Sequence, residues 1–183
     1  MAPPAPGGTG VSATVIGVVG SPHTRSRSRT LLNHAVATAR ARSAGVDIVE
    51  LRQLPAAALL GRRQHPDVER ALTQLRESQV VLAATPTYRA SYTGLLKLFF
   101  DLLPDNALAQ HVGVPIVTGT SLEDLRLAGQ ALRTLFTSLG ADVVATGAYA
   151  IDADFAGDQP SEPVLRRVER AVDEALAHAR ARR

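Results

Sequence analysis

The sequence predicts an α/β fold: a doubly wound, five-stranded parallel sheet in the order 2-1-3-4-5, with helices on both faces. Three observations lead there. Five short apolar runs alternate with five amphipathic stretches along the chain. The third run, VVLAA at residues 80–84, is apolar at every position, as expected of a strand covered by helices on both sides. Most runs end in Gly, Pro, Ser or Thr, and a proline cannot continue a central strand. Right-handed crossovers then leave few ways to connect the strands.

Each element has its own signal. Residues 13–19 read as the first strand and stop at Gly20-Ser21-Pro22. A helix follows from about Ser28, with Leu31, Leu32, Ala35, Val36 and Ala39 at i, i+3, i+4 spacing, and Gly45 closes it. Residues 46–51 are the second strand. Residues 53–66 hold two prolines and no clear period, so a loop with at most a turn of helix is expected, then a short helix over 68–78. After the third strand, Thr85-Pro86 breaks the run, and a compact helix over 94–103 stops at Pro104. Residues 112–117 form the fourth strand, and the longest helix, 122–139, is closed by Gly140. Residues 143–149 supply the fifth strand, 152–160 a loop, and 161–180 the last helix.

Composition bounds the function. A chain of 183 residues, 45% hydrophobic and 20% charged, fits one domain over 13–183 behind a Pro/Gly-rich tail over 1–12. The chain contains no cysteine, which removes disulfides, thiolate catalysis and Cys-ligated metals and fits a reducing, cytoplasmic setting. The N-terminal residues do not read as a secretory signal, and no apolar run approaches the roughly 20 residues of a membrane span. Net charge is +3, carried almost wholly by arginine, with Lys97 the only lysine. The arginines are scattered among acids without interleaved aromatics, so no nucleic-acid partner is expected.

In open parallel sheets ligands bind beyond the C-terminal strand ends, where the strand order reverses. The loops after strands one, three and four should therefore hold the site. The first, GSPHTRSRSRT at 20–30, opens a helix whose unpaired N–H groups and positive dipole end favour an anion. Ser21, Ser26, Ser28 and Thr30 can each donate to a phosphate oxygen, and Arg27 or Arg25 can neutralise it. The loop lacks the glycine spacing of a dinucleotide fingerprint and the Lys of a P-loop, so a terminal monophosphate is the natural occupant. Helix capping would explain one such hydroxyl but not four interleaved with arginines. The second loop, TPTYRASYTG at 85–94, carries two of the three tyrosines; Pro86 fixes its turn, Tyr88 offers a flat face, and amides beyond the proline can reach the polar edge of a planar ring. The third, 118–121, precedes a helix and offers amide donors to a ring carbonyl.

With these three loops in view, the runs GSPHTRSRSRTLL, ATPTYRASYTGLLKLFFDLLP and VPIVTGTSLEDL resemble the NADPH-dependent FMN reductase family, a flavodoxin-like group. They are most similar to the branch that supplies reduced flavin to two-component alkanesulfonate monooxygenases. The resemblance implies phosphate contacts at Ser21, Ser26, Arg27 and Ser28. It implies that Pro86, Thr87, Tyr88 and Arg89 border the isoalloxazine, with Thr118 and Gly119 at its other edge. It also implies FMN with NADPH or NADH as the reacting pair, hydride transfer to flavin N5 carried by the flavin, a monooxygenase that uses reduced FMN as partner, and a homodimer or homotetramer. Members of the branch often carry an extra aromatic residue in the helix after strand four. The matching position here is Gln130, which leaves open whether FMN departs or is retained.

Lys97 and Asp101 are four apart on one helix and read as a surface pair. His23, His34, His65, His111 and His178 show no metal-ligand spacing, and Ser21 is not part of a Gly-x-Ser-x-Gly elbow. The rival reading is an FMN-retaining quinone or azo reductase on the same fold. A receiver-type signalling module is disfavoured, because Ser/Arg and Thr-Pro-Thr-Tyr stand where its acidic cluster and phospho-accepting aspartate belong.

Overall fold

A computed structural model describes residues 13–143 and 146–182; the expected tail over 1–12 lies outside the described residues. The parallel sheet comprises β1 (Thr14–Val19), β2 (Gly45–Glu50), β3 (Val80–Pro86) and β4 (Val112–Gly119), with an edge made of β5 (Asp142–Val143) and β6 (Ala148–Ile151). Its order is β2-β1-β3-β4-β5, with β6 also on β4, which is the expected 2-1-3-4-5 topology. Register is continuous through the centre: Val15 faces Val46 on one side and Val80 on the other, and Ala84 faces Ile116.

The helices are α1 (Arg27–Ala41), α2 (Ala56–Leu59), α3 (Pro66–Glu77), α4 (Gly94–Phe100), α5 (Leu122–Ser138) and α6 (Glu162–Ala181). The apolar stripes of α1 and α6 pack on one sheet face, through Leu31, Leu32, Ala35, Val168, Val172 and Leu176. α3, α4 and α5 cover the other, through Leu72, Leu75, Leu96, Phe99, Leu132 and Phe136. On that second face Phe100 meets Phe99 and Phe136 edge-on, at centroid distances of 5.9 and 5.7 Å.

Three expectations are corrected. The fifth strand expected over 143–149 is two short segments, with residues 144 and 145 outside the described residues. Val112 faces Asp142 while Ile116 faces Ala148, so the edge side holds two more residues than β4 over that interval. Pro115 lies there. It has no N–H for a ladder, and its ring packs where Gly147 leaves room. The loop expected over 152–160 contains a single 3-10 turn, Asp152–Asp154, and a small antiparallel hairpin, β7 (Phe155–Ala156) with β8 (Gln159–Pro160), turning at Gly157 with φ of 64°. The helix expected to reach residue 103 ends at Phe100.

Gly113 marks the tightest core approach. A Cβ there would stand 2.8 Å from the fully buried Phe136 ring, which has no free space to move into. Gly113→Ala should lower stability in urea unfolding by about 1–3 kcal/mol. Gly45→Ala, which meets nothing within 4 Å, should change it little.

Candidate functional site

The C-terminal ends of β1 and β3 are tied together by side chains. Gly20 N donates to Ala84 O at 2.8 Å, extending the ladder by one bond. The buried Thr93 hydroxyl donates to Gly20 O at 2.6 Å and accepts from Leu96 N at 3.2 Å, so one oxygen both caps α4 and anchors the end of β1. Thr93 N in turn donates to the buried Thr85 hydroxyl at 3.1 Å. The first two loops therefore leave the sheet at a fixed separation.

Between these loops and the end of β4 lies a cleft of about 310 Å³, lined by Arg25, Ser26, Arg27, Pro86, Thr87, Thr118, Gly119, Thr120, Asp152 and Asp158. A second recess, lined by Thr87, Tyr88, Arg89, Ala90, Thr120 and Asp124, shares Thr87 and Thr120 with it. A larger groove of about 370 Å³ beside α3, lined by His65, Glu69, Leu72 and Leu103 among others, contains none of the expected site residues. Of those residues, Ser26, Arg27, Pro86, Thr87, Thr118 and Gly119 share the cleft, and Tyr88 and Arg89 border the recess. Ser21 and Ser28 line neither and are fully buried.

On the α1 side, Ser26 caps the helix, its Oγ accepting from Arg29 N at 3.2 Å and lying 3.3 Å from Ser28 Oγ. Ser21 Oγ accepts from His23 N at 3.2 Å, a local turn within the loop. Thr30, expected as a fourth phosphate donor, instead donates its hydroxyl to Ser26 O inside the helix. The loop arginines are sorted by their partners. Arg29 pairs with Glu50, which also faces Arg52. Arg27 pairs with Asp152 at 2.7 Å and lies 5.3 Å from the Phe155 ring centroid. Among the described residues, Arg25 has no carboxylate partner.

On the β3 side, the amides expected to reach a ring edge are partly engaged. Thr87 N donates to Thr118 O at 2.7 Å, and Tyr88 exchanges backbone bonds with Ser91. Arg89 and Ala90, at φ of 54° and 59°, form the turn between them. Both lie in the left-handed region that a hairpin of this kind requires and that Gly or Asn usually fills. Holding them there costs on the order of 1 kcal/mol each, the sort of strain that collects at binding sites. Tyr88 is 44% exposed, and burial pushes the neighbouring Tyr92 phenol above its ordinary range, with Lys97 opposing the shift. Gly119 is required by close approach, because the Thr87 hydroxyl occupies the space of a Cβ. α5 begins beside it, with Ser121 as cap and Glu123 and Asp124 in the first turn.

The acids Asp152 and Asp158 were not singled out by sequence reasoning. The only signal was three aspartates between residues 152 and 158, in a segment expected as plain loop. Gln130 lies away from the cleft, in a groove lined by Leu122, Gly129, Arg133 and Tyr149. There the ring comes from β6: Tyr149 packs against Gly129, and its hydroxyl accepts from Arg133 at 3.2 Å. α5 is regular α-helix throughout. The described residues hold no group of His, Asp or Glu that could bind a metal, and none of their helices is long and apolar enough to cross a membrane.

If the Thr93 hydroxyl anchors β1, Thr93→Val should lose about 1–3 kcal/mol of stability, because Gly20 O is left buried without a donor. Thr93→Ser should retain most of it; chemical denaturation of the two variants separates hydroxyl from methyl.

The family model for NADPH-dependent FMN reductase matches residues 13–156. An FMN reductase (NADPH) of Pseudomonas putida KT2440 is 34% identical over 163 residues, covering 87% of this chain and 83% of that protein. The NADH-dependent FMN reductase SfnF of Pseudomonas fluorescens Pf0-1 is 36% identical over 132 residues, covering 70% and 71%. The apo structure of the NADH:FMN oxidoreductase EMOB superposes with a TM-score of 0.82 at 29% identity, covering 93% of this chain and 90% of that one. The chain belongs to the NADPH-dependent FMN reductase family.

Proposed function

We propose that this chain, an NAD(P)H:FMN oxidoreductase by family, seats the FMN phosphate at the start of α1 and the isoalloxazine against residues 86–89 and 118–119. One observation carries the placement: hydroxyl and guanidinium donors at a helix start converge on the same cleft as Pro86, Thr87, Thr118 and Gly119. The donor set fits the ligand. Ser26 Oγ accepts from Arg29 N and, with Ser28 Oγ as the donor in the 3.3 Å contact between them, has its own proton to give a phosphate. Arg27 Nε is buried without an acceptor, and Arg25 faces the cleft. The α1 dipole adds to both. Ser21 and Ser28, both fully buried, hold the loop and orient Ser26.

When bound, the flavin supplies the redox chemistry, accepting hydride at N5 from the nicotinamide. The chain contributes position and field. Pro86 and the Thr87 N–H to Thr118 O bond fix the wall of the ring site. The α5 N-terminus beside Gly119 presents amide donors to the pyrimidine edge, where negative charge gathers on reduction. Tyr88, on its strained turn, leaves a flat exposed face for the nicotinamide side. NADPH or NADH serves as donor, since relatives of both kinds occur. We further propose a cytoplasmic homodimer or homotetramer whose reduced FMN is consumed by a partner monooxygenase. Support comes from the lack of cysteine, from the 73%-exposed Leu122 beside the Tyr149 groove, and from the likeness of the three loop motifs to reductases of such systems.

The test is NADPH oxidation with and without added FMN, beside the absorption spectrum of the protein as purified. Oxidation should depend on added FMN and saturate with it, and the protein should be nearly colourless. A yellow protein whose flavin survives dialysis would replace this reading by the FMN-retaining quinone or azo reductase. Oxidation indifferent to flavin, in a protein that binds none, would remove the enzyme assignment.

A further inference from the structure

The phosphate end of the cleft already contains anions. Asp152 Oδ1 is 2.7 Å from Arg27 Nη1, and Asp158, at the β7–β8 turn, lines the same space. Asp152 is held in place. It begins the 3-10 turn directly after β6, whose last residue, Ile151, is in register with Gly119. That turn is closed by Asp154, which accepts from Ile151 N at 3.0 Å and from Arg167 at 3.4 Å. Phe155, next along, places its ring beside the Arg27 guanidinium. Two arginines and two aspartates thus line the end of the cleft that must receive a doubly charged phosphate.

We propose that Asp152 competes with the flavin phosphate for Arg27 and thereby makes FMN a departing substrate of this chain. The proposal rests on the placement of FMN argued above. Asp152 already holds Arg27 Nη1, so an entering phosphate finds part of the guanidinium fork taken and a like charge beside it, and the same carboxylate favours departure of the phosphate. Asp152 is in this sense a determinant of flavin release, acting on the ligand by charge. A merely structural Asp152, holding Arg27 ready for phosphate, would have the opposite effect on removal.

Asp152→Asn keeps an oxygen for Arg27 and removes the charge. Flavin affinities of wild type, Asp152→Asn and Asp152→Glu are measured by fluorescence titration with FMN and with riboflavin, which has no phosphate. The neutral variant should bind FMN about tenfold more tightly. Its riboflavin affinity should be unchanged, the Glu variant should resemble wild type, and Asp152→Asn should purify more yellow. Unchanged or weakened FMN binding in Asp152→Asn would overturn the proposal, as would equal tightening of FMN and riboflavin. If no form binds any flavin, the placement of FMN itself fails, and this inference with it.

Discussion

One hydroxyl sets the geometry on which the site depends. β1 and β3 are neighbours in the sheet, but the chain leaves them in opposite directions, β1 toward β2 through α1 and β3 toward β4 through α4. Such a divergence opens a crevice, and something must fix its width. Thr93 does so by donating to the carbonyl of Gly20, just past β1, while capping α4, and its own N–H donates to Thr85 Oγ1. Gly20 is correspondingly tight, for a Cβ there would come within 3.0–3.1 Å of Leu96 and Thr93. The cleft thus follows from strand order and from a few polar contacts centred on Thr93.

The polar groups around the crevice serve fold and ligand together. Ser26, Thr93 and Ser121 each cap a helix that begins beyond a strand's C-terminal end, so all three helix N-termini lie at the same edge of the sheet. That arrangement concentrates partial positive charge on the side of the crevice where we propose that the phosphate and the reduced ring lie. The acids of the 152–158 segment oppose it. Retention and release of an anionic ligand then become a matter of a few neighbouring charges, adjustable without altering the sheet. The strained Arg89–Ala90 turn fits the same pattern: local stability is given up at the binding edge and carried by the Phe99, Phe100, Phe136 core.

Much of this was legible in the chain, because apolar periodicity and strand-ending residues are local signals. VVLAA at 80–84 announced a central strand, and the Ser/Arg loop announced a helix start. What escaped detection depends on distant partners. Pro115 was visible, yet the break in the edge strand opposite it appears only once 142–143 and 148–151 are seen on β4. Thr30 has the same hydroxyl as Ser26, but one helical turn places it over Ser26 O rather than the cleft. The Thr87 amide looked available until Thr118 O was placed beside it. Asp152 reaches Arg27 across 125 positions of sequence, which no local pattern encodes. The missing ring at Gln130 likewise says little alone, since Tyr149 approaches the same helix from β6.

The central claim is that a mononucleotide's phosphate rests on the hydroxyls that open α1. The most direct measurement is the FMN affinity of the Ser26→Ala/Ser28→Ala double variant, at a temperature where circular dichroism shows it folded, with riboflavin as reference. FMN binding should weaken by at least about tenfold, from the loss of a charge-assisted hydrogen bond and its support. Riboflavin binding should hold. An FMN affinity equal to that of the wild type would contradict the account, because the phosphate would then lie somewhere else.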